Sequence, residues 1–516
     1  MTTPTTPTPP RLLIIGAGFA GLGLAMALQR AGLKNFTVLD RGTEVGGTWR
    51  DNTYPGCACD VASHLYSYSF APKFNWARPY AQQPQILAYL KHHVDKHHLR
   101  PHLRLGVEVV ASRWIEERQL WQVQLGHGEL IEAEVLVNAM GALVKPSVPA
   151  LKGIEHFQGP VFHSARWRHD VDLTGKRVAL IGTGASAIQI GPELAPRVQH
   201  LSVFQRSAPW VMPRHDQPYG ALTRWLYRRL PGLLRLNRWR IYAINEVIAL
   251  GFLGNGFVRG LMVRTGLRHM RAHLSDPDLL AKVRPDHHPG CKRVLVSDHW
   301  YPMLNRPNVS LVTRGIERVT RQGIVTSDGK LHEADVIIFG TGFVVTDFAS
   351  LTSIAGRRGQ DLGQQWMQAA RTHLGLSTHG FPNLFHLLGP SAGLGSNSVV
   401  FMAEAQANYV VQAVQHIARS GAVLDLKPAV QAASYTALQQ RMKRTVWATG
   451  CRSWYQTPSG RIDTLWPDFT FTYWWRTRRF DASVYDAHFV HRSPLSATSA
   501  APATPASTST PSSASP

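Results

Sequence analysis

Two short glycine clusters, each directly after an apolar run, constrain the fold of this chain more than any other feature. The run 11–16 leads into the letters GAGFAG, and the run 176–181 leads into GTGASA. In both places a helix-compatible segment comes next, and then a second apolar run, at residues 36–40 and 200–204. A strand, a glycine turn, a helix and a second strand form the unit that binds a dinucleotide. The sequence therefore predicts an α/β fold with two doubly wound, Rossmann-like dinucleotide-binding domains.

The first cluster has the glycine spacing of a pyrophosphate-binding turn. Gly16 can form the tight turn, Gly18 lets the backbone approach the phosphates, and Gly21 lets the helix pack closely on the strand. The second strand of the unit ends at Asp40, whose carboxylate can accept a hydrogen bond from a ribose hydroxyl. These four residues predict the first nucleotide site.

The second cluster differs from the first in the residues after its second strand. Gly182 and Gly184 match the first two glycines, Ser186 lies in the same turn, and Ala187 takes the third position, which dinucleotide sites permit. Arg206 then stands where the first unit has an acidic residue. An arginine there can pair with a 2′-phosphate that a carboxylate would repel, so we predict NADPH rather than NADH. A solvated surface charge is the alternative for Arg206.

The length of 516 residues suggests about three packed units. The segment from residue 218 to about 281 is helical in pattern and rich in arginine, which indicates an insertion within the second unit. Both ends of the chain are rich in Pro, Ser, Thr and Ala and are expected to be disordered. The predicted divisions are residues 11–146 and 381–492 for the first nucleotide domain, 147–215 and 286–380 for the second, 216–285 for the helical insertion, and 1–10 and 493–516 for the tails.

Charge and cysteine content narrow the class of protein. Lys and Arg number 55 against 33 Asp and Glu, a net charge of +22 that favours anionic ligands, although we expect no nucleic-acid partner. The longest apolar stretch, 247–258, is too short for a membrane span of about 20 residues. Four cysteines are too few for a disulfide framework, and no leader-like segment precedes the first strand. We therefore expect a cytoplasmic protein with reduced cysteines.

Two features that suggest other chemistry are set aside. Histidines crowd residues 92–102, but no carboxylate or cysteine completes a ligand set, so we predict no metal site. Cys57 and Cys59 are spaced C-x-C and not the C-x-x-C of a flavin disulfide reductase, which argues against thiol chemistry.

Three further motifs identify a family. Phe157, Gly159, His163 and Trp167 fit F-x-G-x-x-x-H-x-x-x-W, residues 46–60 read GGTWRDNTYPGCACD, and residues 289–293 read PGCKR. With these motifs the chain resembles the flavin-containing monooxygenases and, within them, the type I Baeyer–Villiger monooxygenases, over nearly all of residues 11–481. That family commonly has Pro or Asp after the tryptophan, whereas this chain has Arg168.

The resemblance implies both cofactors and a reaction. FAD belongs in the first nucleotide domain and NADPH in the second, and one oxygen atom of O2 is inserted beside the carbonyl of a hydrophobic ketone through a C4a-peroxyflavin, giving an ester or lactone. By the same resemblance Arg293 is the active-site arginine, Asp60 holds it in place, and Lys292 joins Arg206 at the NADPH phosphate. A guanidinium is always charged, so it can stabilise oxyanions without changing protonation. An ordinary structural ion pair is the alternative for Arg293 and Asp60.

The resemblance also assigns supporting residues. Gly47, Thr48 and Trp49 are expected beside the flavin, and Gly389 and Pro390 on the strand that closes the FAD site. Trp454 and Tyr455 are expected to line the substrate or nicotinamide pocket, with core packing as the alternative. His163 is expected to be a conformational residue that links domain movement to cofactor handling, with a packed structural histidine as the alternative.

Two questions stay open at this level. The arginine-rich stretch 224–240 can form a wall of the substrate pocket, which we favour, or lie on an anionic membrane. The alternatives to ketone oxidation are an N- or S-oxygenating flavin monooxygenase and a non-oxygenating flavoprotein or redox sensor. The natural ketone and the oligomeric state do not follow from the sequence.

Overall fold

The computed structural model of this chain describes residues 9–346 and 352–489. Apart from residues 9 and 10, the two predicted disordered tails lie outside the described residues.

Strands and helices alternate in the two nucleotide-binding units. In chain order the strands are β1 (Leu12–Ile15), β2 (Phe36–Asp40), β3 (Leu103–Leu105), β4 (Val109–Ile115), β5 (Leu120–Leu125), β6 (Leu130–Ala133), β7 (Val135–Asn138), β8 (Val161–His163), β9 (Arg177–Ile181), β10 (His200–Phe204), β11 (Val211–Met212), β12 (Leu295–Val296), β13 (Val309–Val312), β14 (Ile316–Thr320), β15 (Gly323–Thr326), β16 (Leu331–Glu333), β17 (Val336–Phe339), β18 (Ser353–Ala355), β19 (Leu384–His386), β20 (Ala422–Leu426) and β21 (Tyr485–Phe489).

The helices cover the sheets and form the insertion. In chain order they are α1 (Phe19–Arg30), α2 (Thr48–Asp51), α3 (Gln83–Lys96), α4 (Ala187–Leu194), α5 (Ala221–Arg229), α6 (Pro231–Phe252), α7 (Gly256–His273), α8 (Pro277–Val283), α9 (Trp300–Leu304), α10 (Leu362–Gln368), α11 (Val399–Ser420), α12 (Pro428–Met442) and α13 (Thr470–Thr477).

The first unit is a parallel five-stranded sheet in the order β19, β7, β1, β2, β3. Strands β1 and β7 are buried along their whole length, as a parallel sheet covered on both faces requires. Helix α1 packs against α11, so the C-terminal segment of the chain completes this unit. The carboxyl ends of β1 and β2 lead to Gly16 and end at Asp40, which puts both on the same edge of the sheet.

The second unit repeats the arrangement with the order β13, β10, β9, β17, β8, again all parallel. Strand β9 leads into Gly182 and β10 into Gln205, so the second cluster also lies at the carboxyl edge of its sheet. The predicted fold of two doubly wound domains is confirmed.

The sequence predicts that residues 286–380 belong to the second unit, but one segment of this range packs with the first unit. Strand β18 pairs in parallel with β4, and Ile354, Leu362 and Trp366 are buried in the same cluster as Leu13 and other first-sheet residues. Residues 353–370 thus lie with the first unit. The sequence carries no signal for this because a three-residue strand acquires its partner only through tertiary contact.

Residues 216–285 form a helical insertion, as predicted, built from α5 to α8. Helix α6 packs on α7, and its buried residues include Ile241, Ala249 and Phe252. Among the described residues no single helix is long and apolar enough to cross a membrane; α6 and α7 meet the length and composition criteria only together, across a bend of 104°.

The close packing of α1 on β1 generates a prediction. A Cβ added to Gly21 would lie 1.9 Å from the carbonyl oxygen of Gly16, so Gly21→Ala forces backbone apart at the first cluster and should destabilise the protein by about 1–3 kcal/mol. Gly260→Ala is the matched control, since the site on α7 is open and replacing a helical glycine by alanine gains about 0.5–1 kcal/mol. At one scan rate, the thermal midpoint of Gly21→Ala should lie below that of the wild type, and that of Gly260→Ala should not. A Gly21→Ala midpoint equal to the wild-type midpoint would contradict this packing.

Candidate active site

The middle glycine of each cluster faces open space. A Cβ on Gly18 would meet nothing closer than 3.9 Å, and one on Gly184 nothing closer than 4.0 Å. By contrast, a Cβ on Gly16 or on Gly182 would lie 2.5 Å from a backbone oxygen. In a dinucleotide-binding turn the first glycine packs tightly against the backbone, and the middle glycine leaves room for the pyrophosphate. Both clusters show this arrangement. Both turns therefore fit a bound dinucleotide.

Asp40 is held at the edge of the first turn and retains capacity for a ligand. One carboxylate oxygen accepts from the Ala17 N–H at 2.7 Å, and the other from the Gly42 N–H and from Arg50 Nη1 at 2.8 and 2.6 Å. A carboxylate accepts about four hydrogen bonds, so one position is left for a ribose hydroxyl. The geometry fits the predicted role of Asp40.

Gly47, Thr48 and Trp49 lie next to the first cluster. Gly47 is the N-cap of α2, and a Cβ on it would lie 3.2 Å from the Cα of Gly18. The Trp49 indole donates to the hydroxyl of Tyr66 at 3.1 Å, and the Trp49 carbonyl accepts from Gln83. The structure thus brings the two glycine-rich segments of the first unit together, and the placement of Gly47, Thr48 and Trp49 beside the flavin stays a prediction.

Asp60 is positioned by contacts from both units. Its segment bridges to Gln82 at the start of α3, and the Gln189 side chain on α4 donates to the Ala58 carbonyl at 3.1 Å. Arg214 donates to the Cys59 carbonyl at 3.0 Å. These backbone contacts place Asp60 where the two units meet.

Arg293 comes after a tight turn that holds it beside α6. Gly290 has φ +96°, and a Cβ there would lie 2.2 Å from a ring carbon of Phe252 on α6, so only glycine fits the turn. After the turn, Arg293 Nε and Nη2 donate to the same oxygen of Asp60 at 3.0 and 2.8 Å. Arg293 Nη1 donates to the Leu394 carbonyl at 3.2 Å. The guanidinium is therefore held on two sides.

The Arg293–Asp60 pair is largely withdrawn from water, with side-chain exposures of 24% and 28%. Burial works to lower the pKa of Arg293, but the attraction of Asp60 and the contact with Tyr455 outweigh it and raise that pKa above its ordinary value. Burial also raises the pKa of Tyr455, which stays a neutral phenol. The site thus holds a constant positive charge against a neutral hydroxyl.

Lys292 and Arg206 form a separate cationic pair at the second nucleotide turn. Lys292 Nζ donates to Ser207 Oγ at 2.8 Å, which places it beside exposed Arg206. Burial and the nearby charge of Arg206 lower the pKa of Lys292, while Asp286 opposes the shift. The structure brings together the two cations predicted for the NADPH phosphate.

The fingerprint motif packs along the edge of the second sheet. A Cβ on Gly159 would lie 2.0 Å from the Asp335 carbonyl oxygen, and Phe162 and Trp167 form an edge-to-face pair 5.1 Å apart. His163 is buried at the end of β8, and its Nδ1 accepts from the Ala165 N–H at 3.1 Å. Burial lowers the pKa of His163, which suits a packed, neutral ring. Phe157 packs against the core of the second unit.

Gly389 and Pro390 lie just after strand β19 and not on it as expected from the sequence, because β19 ends at His386. Gly389 lies close to the Gly375 carbonyl, and the Pro390 carbonyl accepts from Thr372 at 3.3 Å. Trp454 is 43% exposed, whereas its neighbour Tyr455 is buried against Arg293. Of the two predicted pocket aromatics, Tyr455 is thus the one whose phenol lies near enough to raise the pKa of Arg293.

A cleft beside the arginine contains residues that sequence reasoning missed. It is small and is lined by Phe252 at the end of α6, by Leu253 just after it, by Leu394, by Trp447 and Trp466, and by the polar residues Glu246, Asp468 and Thr470. Glu246 is held by Thr470 and by Asn397, whose amide donates at 2.6 Å. These residues come from distant parts of the chain and share no motif, so the sequence carries no signal for them.

The cysteines depart from expectation. Cys291 and Cys451 form a disulfide across 160 positions, with their Cα atoms 6.2 Å apart, so the prediction that all cysteines are reduced is wrong. The bond joins the Lys292–Arg293 turn to the segment that carries Trp454 and Tyr455. Such a pair has no spacing signature, because only the fold brings the two residues together.

The two remaining cysteines and the histidine-rich stretch 92–102 are the other features set aside from the sequence. Cys57 and Cys59 are free and buried, and burial raises the pKa of Cys57 to about 12. Within residues 9–346 and 352–489 no group of three His, Cys, Asp or Glu side chains is arranged to hold a metal ion.

Comparison with known proteins gives consistent results. A family model described as pyridine nucleotide-disulphide oxidoreductase matches residues 13–251. A Baeyer-Villiger monooxygenase from Streptomyces coelicolor is 45% identical over 478 residues, covering 92% of each chain. A Baeyer-Villiger monooxygenase from Pseudomonas aeruginosa is 44% identical over 503 residues, covering 96% of this chain and 95% of the relative.

Solved structures agree with these relatives. An oxidized steroid monooxygenase bound to NADP superposes with a TM-score of 0.82 at 32% identity, covering 91% of this chain and 97% of that one. OTEMO in complex with FAD and NADP gives a TM-score of 0.83 at 28% identity, covering 94% of this chain and 100% of that one. Both similarities cover more than nine tenths of this chain.

The disulfide generates a prediction about thiol content. Because Cys57 and Cys59 are free and Cys291 is bonded to Cys451, the unfolded, unreduced protein should take up two alkylating groups, and four after reduction. Mass spectrometry of the intact protein counts them. Removing the bond by Cys451→Ser should cost about 2–4 kcal/mol of stability. Four alkylated cysteines without reduction would contradict the assignment.

Proposed function

The chain belongs to the Baeyer–Villiger monooxygenases, and from that premise we propose that Arg293 is its catalytic residue, that Asp60 positions it, and that the substrate is a hydrophobic ketone. The protein is a flavin-dependent monooxygenase whose cofactors are FAD and NADP(H). Membership in this family argues against a non-oxygenating redox sensor. The observation that carries the proposal is the guanidinium of Arg293 fixed by Asp60.

The reaction consumes a ketone, O2, NADPH and a proton, and gives an ester or lactone, NADP+ and water. When bound, FAD takes the electrons of NADPH and supplies the activated oxygen. The chain itself must stabilise the negative charge that develops on the ketone oxygen. Arg293 is suited to this because its charge does not depend on pH and because it lies in a partly dry site, where electrostatic stabilisation is strong.

Asp60 contributes by orientation. A guanidinium has five N–H donors, and Asp60 and the Leu394 carbonyl engage three of them. Because Nε and Nη2 converge on one carboxylate oxygen, the plane of the guanidinium is fixed, and donors remain for the substrate.

The apolar side chains near Arg293 support a hydrophobic substrate. Phe252, Leu253, Leu394, Trp447 and Trp466 lie together next to the Leu394 carbonyl that accepts from Arg293, and apolar side chains there favour a ketone with a hydrocarbon body. The second cationic pair acts on the coenzyme: Lys292 and Arg206 bind the 2′-phosphate that distinguishes NADPH from NADH. The cytoplasmic location expected from the sequence stays a prediction.

Replacing Arg293 tests the catalytic assignment. Arg293→Ala should lower ester formation about 10²–10³-fold because the charge on the ketone oxygen loses its partner, while FAD stays bound. Arg306→Ala, an exposed arginine of the second unit, is the control and should keep the wild-type rate. Products from a panel of ketones, amines and sulfides are measured by mass analysis. Wild-type ester yield in Arg293→Ala would refute the role, and N-oxides without any ester would refute ketone oxidation.

Charge reversal at Arg206 tests the coenzyme assignment. Arg206→Glu should raise the KM for NADPH about 10- to 100-fold and change that for NADH little, since a charge-assisted hydrogen bond contributes about 1.5–3 kcal/mol. Arg197→Glu, also exposed on the second unit, should leave both KM values unchanged. An unaltered NADPH preference in Arg206→Glu would remove Arg206 from the site.

A further inference from the structure

Exposed apolar side chains concentrate on the helical insertion. Of the twenty large hydrophobic residues exposed among the described residues, ten lie within residues 222–261. The six most exposed define what we call the insertion surface: Leu222, Leu236, Trp239, Val247, Phe257 and Leu261. Soluble surfaces rarely collect such residues in one place unless a partner covers them.

The charge around the insertion surface has one sign. Residues 221–273 contain ten arginines, no lysine and no aspartate, and a single acidic residue, Glu246. The Glu246 carboxylate is turned inward, where it accepts from Thr470 and Asn397. Arg238 is also turned inward and donates to the carbonyls of His64 and Ser67. The outward charge of the insertion is thus positive.

Helix α6 has two apolar sides, and the protein covers only one of them. Ile241, Ala249 and Phe252 are buried against the body of the protein. Leu236, Trp239 and Val247 are spaced three and eight positions apart, which puts them on one side of the helix, and each is more than half exposed. The exposed apolar side chains on the outer side of α6 therefore call for a partner that covers them.

A second copy of this chain is a poor occupant, because a symmetric contact would bring the same arginines face to face. An anionic lipid bilayer offers both things that the insertion surface lacks, an apolar interior for Trp, Leu and Phe and phosphate groups for Arg. Helices α6 and α7, which carry five of the six members of the insertion surface, pack on each other across a bend of 104°. We propose that the insertion surface docks on an anionic bilayer.

Docking has a consequence for the active site that rests on the proposed function. The inner side of α6 lines the cleft next to Leu394, whose carbonyl is bonded to Arg293. A ketone dissolved in the bilayer is therefore about one helix diameter, roughly 10 Å, from the cleft. The bilayer then acts as the reservoir from which a hydrophobic substrate enters.

The test measures binding of the FAD-loaded enzyme to vesicles. Flotation with phosphatidylcholine vesicles and with vesicles that also contain phosphatidylglycerol should show binding to the anionic vesicles only, and added salt should weaken it. Equal binding to both vesicles, or none to either, overturns the proposal.

The variant Trp239→Glu/Phe257→Glu replaces two members of the insertion surface with acids and should bind anionic vesicles about tenfold less or weaker still. The matched control is Leu130→Glu/Met367→Glu, which makes the same changes at residues 55% and 77% exposed outside the insertion and should bind like the wild type. Equal losses in both variants would overturn the proposal, as would a concentration-dependent dimer abolished only in the insertion variant.

A kinetic measurement separates this proposal from the proposed function. The insertion variant should keep the wild-type rate on a water-soluble cyclic ketone and lose rate only on a long-chain ketone supplied in anionic vesicles. The insertion variant could lose vesicle binding while the wild type forms no ester from any ketone. That pair of results would support docking and reject the proposed function. Unchanged rates in vesicles would reject the delivery of substrate from the bilayer.

Discussion

The ion pair between Arg293 and Asp60 is the interaction on which the rest of this structure depends. The two residues are 233 positions apart, and their contact requires both nucleotide units to be folded and in place. Asp60 is fixed by α3 and α4, while Arg293 is fixed by the glycine turn against α6 and by the disulfide that begins two positions earlier. The two folded units therefore hold the guanidinium of Arg293 in one position.

Electrostatics explains why both Arg293 and Asp60 must be held firmly in place by the surrounding structure. Removing either partner would leave an uncompensated charge in a largely buried place, which costs more than the pair itself contributes to stability. A buried ion pair of this kind adds little to the stability of the fold. Its effect is to fix the position of the Arg293 guanidinium. The helical insertion also contributes to the cleft beside Arg293. The inner side of α6 lines it, and the outer side of α6 carries the exposed apolar residues.

The sequence predicted those features whose physical cause is local. The turns at Gly16 and Gly182, the strands before them and the carboxylate at Asp40 follow from spacing within about thirty residues, as in a strand, helix and strand unit. The pairing of Cys291 with Cys451, the addition of β18 to the sheet of β4, and the wall formed by Trp447 and Leu394 depend on contacts between distant segments. No periodicity or motif encodes such contacts, and the expectation of reduced cysteines failed for that reason.

The most direct test of the account is a double-mutant cycle on ester formation with Asp60→Ala, Arg293→Ala and the double variant, each with its bound FAD measured. If Asp60 acts only by positioning Arg293, removing Asp60 from the Arg293→Ala enzyme should cost no further rate, so the double variant should match Arg293→Ala. If the two losses multiply, the residues act independently, and the claim that one oriented cation carries the chemistry is contradicted.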